Sequence, residues 1–119
     1  MKIAVTAAEK DFNAFMDERF GRAAGFIIYD TETGSHEFID NIQNLNADQG
    51  AGIQSAKTVS DTGATVLITG NVGPKAHAAL DAAGIEIFLK NGGTVSEAID
   101  TYRSGSLVKA ASANVAGHW

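Results

Sequence analysis

The 119-residue chain contains no cysteine. Disulfide bonds, thiolate catalysis and cysteine-ligated zinc or iron–sulfur centres are therefore excluded. Histidine is also scarce, with only His36, His77 and His118 in the sequence, so a metal site built from protein imidazoles alone is not expected. Any metal species that binds this protein would have to bring most of its own ligands.

Long apolar runs, a signal-peptide pattern and an excess of basic residues are missing as well. No hydrophobic segment approaches the roughly 18–20 residues that cross a bilayer, and the apolar N-terminal run is soon followed by charged residues. The formal net charge of −5 disfavours general binding to nucleic acid, which needs a basic face. We therefore expect one cytoplasmic, monomeric domain without a membrane or nucleic-acid partner.

The only proline in the chain, Pro74, lies in the most informative segment, 69–75. The apolar run 66–68 before it predicts a buried strand, and the glycines on either side of Asn71 predict a turn. Proline suits the first position of a helix because the amide that it lacks would have no partner there. A strand, a turn and a helix N-terminus beside Lys75 favour binding of an anion.

Apolar periodicity and turn residues predict the element order β β β α β α β α. Strands are expected at 2–6, 26–30, 36–40, 66–68 and 85–89, and helices at 53–62, 75–83 and 94–104. The last helix should begin with a capping box of Thr94 and Glu97. The predicted fold is α/β, with a five-stranded mixed sheet in which strand two is antiparallel and with helices on both faces.

This topology places four polar loops at one rim of the sheet, at the carboxyl ends of the parallel strands. Ligands bind at this rim in open α/β sheets. We expect the basic side chains there to neutralise an anion and the glycine amides to donate hydrogen bonds. The candidate binding residues are Arg19, Phe20, Gly21, Arg22, Gln49, Gly50, Ala51, Gly52, Thr69, Gly70, Asn71, Val72, Gly73, Pro74, Lys75 and His77.

Other interpretations of these residues stay open at this point. The glycines could simply close turns, and the arginines could pair with Asp11, Asp17 or Glu18 rather than with a ligand. His77 could face the rim or pack on the sheet. Catalysis has little support, because the sequence contains neither the phosphate-loop spacing G-x-x-x-x-G-K-[ST] nor a nucleophile elbow.

Taken together, the motifs resemble the dinitrogenase iron–molybdenum cofactor biosynthesis family. The resemblance rests on an ordered set of segments: MKIAV at 1–5, RFGRA at 19–23, GAGI at 50–53, VLITGNVGPKA at 66–76, AGIEI at 83–87 and TVSEAI at 94–99. It implies a ribonuclease H-like fold and non-catalytic binding of a preformed anionic metal–sulfur cluster. The cluster-binding domain would span residues 1–105, followed by a small polar tail at 106–119 that we expect to be flexible.

Within this family, the chain most resembles the molybdenum–copper orange proteins, because it is small and has no cysteine. That resemblance implies a sulfide-bridged Mo–Cu cluster of the thiomolybdate–copper type, with iron–molybdenum cofactor or its precursor as the alternative. Members often carry a histidine where this chain has Gln49, which favours a cluster held by charge, amides and packing. Partner proteins such as ParA- or MinD-type ATPases are a further implication.

Two functions of other classes remain as alternatives. A ribonuclease H-type enzyme needs acidic residues on the first strand to hold two metal ions, and residues 2–6 contain none. A protein-interaction module whose rim docks a partner is compatible with the sequence.

Overall fold

The computed structural model describes residues 1–41 and 50–115. This part of the chain forms six strands and three helices. Their bounds are β1 Lys2–Ala7, β2 Gly25–Asp30, β3 His36–Asp40, α1 Ala51–Asp61, β4 Val66–Thr69, α2 Pro74–Ala82, β5 Glu86–Leu89, α3 Val95–Arg103 and β6 Val108–Lys109. None of these helices is long and apolar enough to span a bilayer.

The six strands form one mixed sheet in the order β3-β2-β1-β4-β5-β6. β1 pairs in parallel with β4, so that Val5 lies opposite Ile68, and β4 pairs in parallel with β5. β2 is antiparallel to both of its neighbours, β1 and β3. The predicted α/β class and the antiparallel second strand are therefore confirmed.

The predicted number of strands is wrong by one, because β6 extends the sheet beyond β5. Val108 lies opposite Leu89 in an antiparallel register, and the Ala110 amide donates to the Ile87 carbonyl at 2.7 Å. Two residues are too few to show the alternation of apolar and polar side chains by which a strand is recognised in a sequence. The expected flexibility of residues 106–119 stays a prediction.

Alternation along the strands divides the buried side chains between the two faces of the sheet. On one face, Leu67 belongs to a core that includes Val59 of α1 and Leu80 of α2. On the other face, Ile68 belongs to a core that includes Ile99 of α3. The helices thus cover both faces, as predicted, and the loops after β1 and β4 emerge at the same edge because these strands are parallel.

Candidate functional site

The loop after β1 packs directly on the turn after β4. Arg19 and Asn71 form an isolated parallel bridge, in which the Phe20 amide donates to the Asn71 carbonyl at 3.2 Å. The Asn71 side chain extends this contact, because its Nδ2 donates to the Glu18 carbonyl at 3.2 Å. Two segments that the sequence places far apart, 19–22 and 69–75, are therefore brought together.

Gly70 makes this close approach possible. A Cβ atom at this position would lie 2.9 Å from both the Cα atom and the carbonyl oxygen of Glu18. Since both atoms belong to the backbone, a larger residue could be accommodated only if one of the two loops moved. Glycine is required here by the contact between the loops and not by a positive φ.

Buried hydroxyl groups tie the bases of the same two loops together. Thr6, on β1, and Thr69, at the end of β4, are both fully buried. Thr6 Oγ1 lies 2.7 Å from the Asp17 carbonyl oxygen and 3.1 Å from Thr69 Oγ1. Buried polar groups of this kind need hydrogen-bond partners, so these contacts stabilise the position of the loop after β1 relative to β4.

α1 reaches the same region of the molecule. Ser55 Oγ donates to Asn41 Oδ1 at 3.1 Å, and Asn41 Nδ2 donates to the Ala23 carbonyl at 3.0 Å. These contacts connect α1 to the loop after β1, residues 8–24, which carries Arg19 and Arg22 and is called the arginine-containing loop below. In the first turn of α1, a Cβ atom on Gly52 would lie 3.0 Å from Ala76 Cβ in the first turn of α2. The N-terminal turns of α1 and α2 therefore lie side by side.

Both of these helices begin without a side-chain cap from the described residues. Gly50 is the N-cap of α1 with a left-handed φ of 79°, and Gly73 is the N-cap of α2 in an extended conformation. Neither helix has an acidic residue in its first turn. The first amides of an uncapped helix lack intrahelical acceptors and carry part of the positive end of the helix dipole, which attracts anions.

The basic side chains near these helix ends differ in their surroundings. Arg19 is 49% exposed, its Nε lies 3.6 Å from Asp17 Oδ1, and its backbone amide donates to the same oxygen at 3.0 Å. The interpretation in which an arginine pairs with Asp17 is thus correct for Arg19. Arg22 is half-buried. Lys75 is exposed and forms no ion pair with another described residue.

α3 begins in a different way. Thr94 Oγ1 accepts a hydrogen bond from the Glu97 amide, and Glu97 Oε1 accepts one from the Thr94 amide, both at 3.1 Å. The predicted capping box is confirmed. The hydrogen bond from the Thr94 backbone is the main reason why the pKa of Glu97 lies below its usual value. The neighbouring Lys90 Nζ donates to the Gly92 carbonyl at 2.6 Å.

Residues 1–105 match the family described as "Dinitrogenase iron-molybdenum cofactor". The chain belongs to this family. The resemblance inferred from the motifs is therefore confirmed, and membership of this family supports a role in the binding or biosynthesis of a metal cluster.

Individual family relatives resemble the chain over most of its length. The apo form of the orange protein from Desulfovibrio gigas is 42% identical, with a TM-score of 0.92 over 96% of each chain. A NifB-like protein from Thermotoga is 37% identical, with a TM-score of 0.81 over 91% of each chain. An uncharacterized protein from Methanocaldococcus jannaschii is 31% identical over 82% of this chain and 84% of its own length.

Some of the candidate binding residues are buried. Phe20 and Val72 are fully buried, and the Phe20 ring packs on Phe26 with 5.7 Å between the ring centroids. Gly21, Ala51, Gly70 and Gly73 are also buried, whereas Gly50 and Pro74 are exposed. For the buried members, contact with a ligand stays a prediction, and it would have to be made through the backbone or after a local movement.

His77 is engaged by the segment that follows β6. Its Nε2 lies 3.2 Å from the Ala110 carbonyl oxygen. The residue also lines a shallow cavity of about 160 Å³ together with Asp81, Glu86 and Lys109. Its predicted contact with a ligand, like that of Gln49, which lies outside the described residues, stays a prediction.

Asn114, which the sequence analysis did not identify, also contacts this site. The Val72 amide donates to Asn114 Oδ1 at 2.7 Å, and Asn114 Nδ2 donates to Asn71 Oδ1 at 3.0 Å. Asn114 follows the part of the chain that matches the family, which ends at residue 105. A single asparagine in a small, polar segment has no spacing pattern that would connect it with a turn more than 40 positions earlier.

Proposed function

We propose that this protein binds and carries a preformed anionic metal–sulfur cluster without catalysing a reaction. The cluster that we favour is a sulfide-bridged Mo–Cu cluster of the thiomolybdate–copper type. Family membership and the likeness to the apo orange protein support this proposal. The observation that carries it is the convergence of two uncapped helix N-termini with the arginine-containing loop and Lys75 in a protein whose net charge is −5.

The hydrogen-bond donors and charges at the N-termini of α1 and α2 and in the arginine-containing loop suit an anion better than a bare metal ion. They are guanidinium, ammonium and backbone amide groups, which bind anions by charge and by hydrogen bonding. In the described part of the chain, no three His, Asp or Glu side chains converge as metal ligands. A cluster with its own sulfide ligands matches this donor set, since it presents a negatively charged surface of acceptors and needs no thiolate from the protein.

We propose a role for each of these groups. Arg19, Arg22 and Lys75 neutralise the charge of the cluster, and the amides at 50–52 and near Gly73 donate hydrogen bonds to its sulfides. Gln49 adds a polar contact. Asn71 contributes chiefly by positioning the arginine-containing loop, because its side-chain amide already binds Glu18 and Asn114.

Reconstitution tests this proposal. The purified protein is incubated with tetrathiomolybdate and copper, passed through a desalting column, and examined by absorption spectroscopy and metal analysis. We expect molybdenum and copper to elute with the protein in a constant ratio. The matched pair of variants is Lys75→Gln, which should weaken retention of the cluster, and Lys57→Gln, which should not, because Lys57 lies 3.0 Å from Asp61 on α1 and away from its first turn.

NMR spectra of the reconstituted protein test the location. We expect changes in amide shifts to be confined to 19–22, 50–52 and 69–75. Failure of the protein to retain either metal, or shifts centred on another face, would contradict the proposal.

Carriage of iron–molybdenum cofactor or its precursor is the second candidate, because the matching family is described by that cofactor. The same donors would bind this cluster, which is also anionic and rich in sulfide. The two candidates are separated by offering the protein both kinds of cluster under the same conditions. Retention of the iron-containing cluster alone would favour the second candidate and reject the molybdenum–copper assignment.

Several finer predictions belong to the same proposal: a ribonuclease H-like classification of the fold, a cytoplasmic location, a monomeric state, and partners such as ParA- or MinD-type ATPases. The absence of catalysis is tested by incubating the pure protein with an RNA–DNA hybrid and magnesium. Cleavage that is lost with magnesium chelation would show that the protein is an enzyme. Light scattering during size-exclusion chromatography tests the monomeric state.

A further inference from the structure

Asn114, in the segment after β6, is hydrogen-bonded to the turn after β4. Its backbone amide donates to the Val72 carbonyl at 3.1 Å, while the Val72 amide donates to Asn114 Oδ1 at 2.7 Å. Its side-chain Nδ2 lies 3.3 Å from the Gly70 carbonyl oxygen and 3.0 Å from Asn71 Oδ1. Both backbone polar groups of the fully buried Val72 therefore depend on Asn114.

The side-chain amides of Asn114 and Asn71 form a directed chain. Asn114 Nδ2 donates to Asn71 Oδ1, and Asn71 Nδ2 donates to the Glu18 carbonyl at 3.2 Å. The order of donors and acceptors matters, because rotating the Asn71 amide would bring its oxygen against the Glu18 carbonyl oxygen. Asn114 thus sets the orientation in which Asn71 can hold the backbone next to Arg19.

The same segment is also anchored upstream of Asn114. β6 pairs with β5, the Ala110 amide donates to the Ile87 carbonyl, and the Ala110 carbonyl oxygen lies 3.2 Å from His77 Nε2. These contacts bring Asn114 to the turn from a fixed direction. The anchored segment lies beyond residue 105, where the match to the family ends.

We propose that Asn114 is a positioning residue of the anion site, which acts through Asn71 to hold the Arg19 backbone against the turn that precedes α2. The use of this arrangement for ligand binding rests on the proposed function. Asn114 is not proposed to contact the anion itself. Its side-chain oxygen accepts the amide of the buried Val72, and its side-chain nitrogen donates to Asn71. Among the described residues, no side chain caps the first turn of α2; the His77 amide donates to the Gly73 carbonyl, so the amides proposed to bind an anion are those of Lys75 and Ala76.

Hydrogen exchange in the ligand-free protein tests the positioning directly. In Asn114→Ala, we expect the Val72 amide to exchange about tenfold faster because it loses its acceptor. The Phe20 amide should also exchange several-fold faster, although Asn114 does not touch it. The control Ser112→Ala changes an exposed residue of the same segment and should leave both rates unchanged. Unchanged exchange at Phe20 in Asn114→Ala would overturn the proposal.

Asn114→Asp separates positioning from simple support of the turn. An aspartate keeps an oxygen to accept from Val72 but cannot donate to Asn71 Oδ1. We therefore expect protection of the Val72 amide to return while the Phe20 amide remains as exposed to exchange as in Asn114→Ala. Recovery of both amides would show that Asn114 merely supports Val72, and the proposal would then be wrong.

Titration with the thiomolybdate–copper cluster tests the consequence for binding. We expect Asn114→Ala to bind the cluster about tenfold more weakly than wild type, and Ser112→Ala to bind it equally well. Equal or tighter binding by Asn114→Ala would show that the site does not need this contact. If wild type itself bound no cluster, the proposed function would fail, and the exchange rates at Phe20 would still decide the positioning.

Discussion

The three helices of this fold begin in two different ways. α3 closes its own N-terminus, since Thr94 and Glu97 exchange hydrogen bonds between their side chains and backbone amides. α1 and α2 begin at Gly50 and Gly73, which have no side chain to offer, and no acidic residue follows in the first turn. Among the described residues, α1 and α2 therefore lack the side-chain cap that α3 has, and their first turns are neighbours.

Under the proposed function, this difference separates a helix whose first amides stabilise the fold from two helices whose first amides bind a ligand. A capping box stabilises a helix by satisfying its first amides, so a helix without one loses that stabilisation unless another acceptor is present. The helices that lack it are the two whose first turns pack together through Gly52 and Ala76. Under the proposed function, an external anion provides the acceptors that a capping box provides in α3.

Disrupting the contact between the arginine-containing loop and the turn after β4 should have the largest effect on stability and on cluster binding. Gly70→Ala places a Cβ atom 2.9 Å from Glu18 backbone atoms, so one of the loops must move. We expect a loss of about 2 kcal/mol in the free energy of unfolding, measured with urea, and a loss of cluster binding. Gly52→Ala serves as a milder comparison, since its Cβ atom would meet a side-chain methyl at 3.0 Å. Wild-type stability and binding in Gly70→Ala would show that the contact between the loops is unimportant.

Reversing a charge at an uncapped helix should separate binding from stability. Lys75→Glu puts a carboxylate in the first turn of α2, where it favours the helix by a few tenths of a kcal/mol but repels an anion. We expect cluster affinity to fall at least about tenfold without a loss of thermal stability. The control is Ser96→Glu at the equivalent position of the capped α3. Equal effects of the two variants on binding would contradict the distinction between the helices.

Removing the N-terminal cap of α3 should lower stability and leave cluster binding unchanged. Thr94→Ala removes the hydroxyl that accepts from the Glu97 amide, which should cost about 1 kcal/mol and lower Tm by about 4 °C. Cluster binding should be unchanged, because α3 takes no part in the proposed site. Thr58→Ala is the control, since the Thr58 hydroxyl donates to the Gln54 carbonyl within α1 and does not cap a helix. Weaker cluster binding by Thr94→Ala than by Thr58→Ala would extend the site to α3.

The smallest effect concerns the pH dependence of the same cap. Hydrogen bonds from Thr94 lower the pKa of Glu97, so the folded state favours the charged carboxylate. The resulting stabilisation is present above the usual carboxyl pKa of 4.5 and is lost as pH falls through the lower folded value. The difference in stability between wild type and Glu97→Gln should therefore shrink at acidic pH. An NMR titration that finds the Glu97 pKa at or above 4.5 would contradict this assignment.

The parts of the fold that local patterns specify were predicted from the sequence. The run 66–68 followed by Pro74 indicated a strand and a helix start, and the structure has β4 ending at Thr69 and α2 beginning at Pro74. The capping box was recognisable because its two residues are three positions apart. β6 was missed because a strand of two residues is defined by its partner, β5, and not by its own composition.

At the candidate site, too, local patterns predicted the general arrangement but not the individual contacts. The sequence indicated that the arginine-containing loop and the turn after β4 share a rim, because the topology of parallel strands requires it. It did not indicate that Asn71 would bind Glu18, and it left open whether the arginines pair with Asp11, Asp17 or Glu18, of which Asp17 is the partner of Arg19. These side-chain partners depend on the conformation of the loop after β1, and that loop has no regular periodicity from which its conformation could be predicted.

By itself, the sequence determined the family and the α/β class. It also excluded cysteine-ligated metal centres and disfavoured a site built from imidazoles alone, because the chain has no cysteine and few histidines. These properties follow from composition, periodicity and ordered motifs, which are local. Only the tertiary structure decided that Asn114 completes the turn at 70–72 and that Gly70 lies against Glu18. Such contacts join residues 40 or more positions apart, and the packing of the whole sheet determines which of them meet.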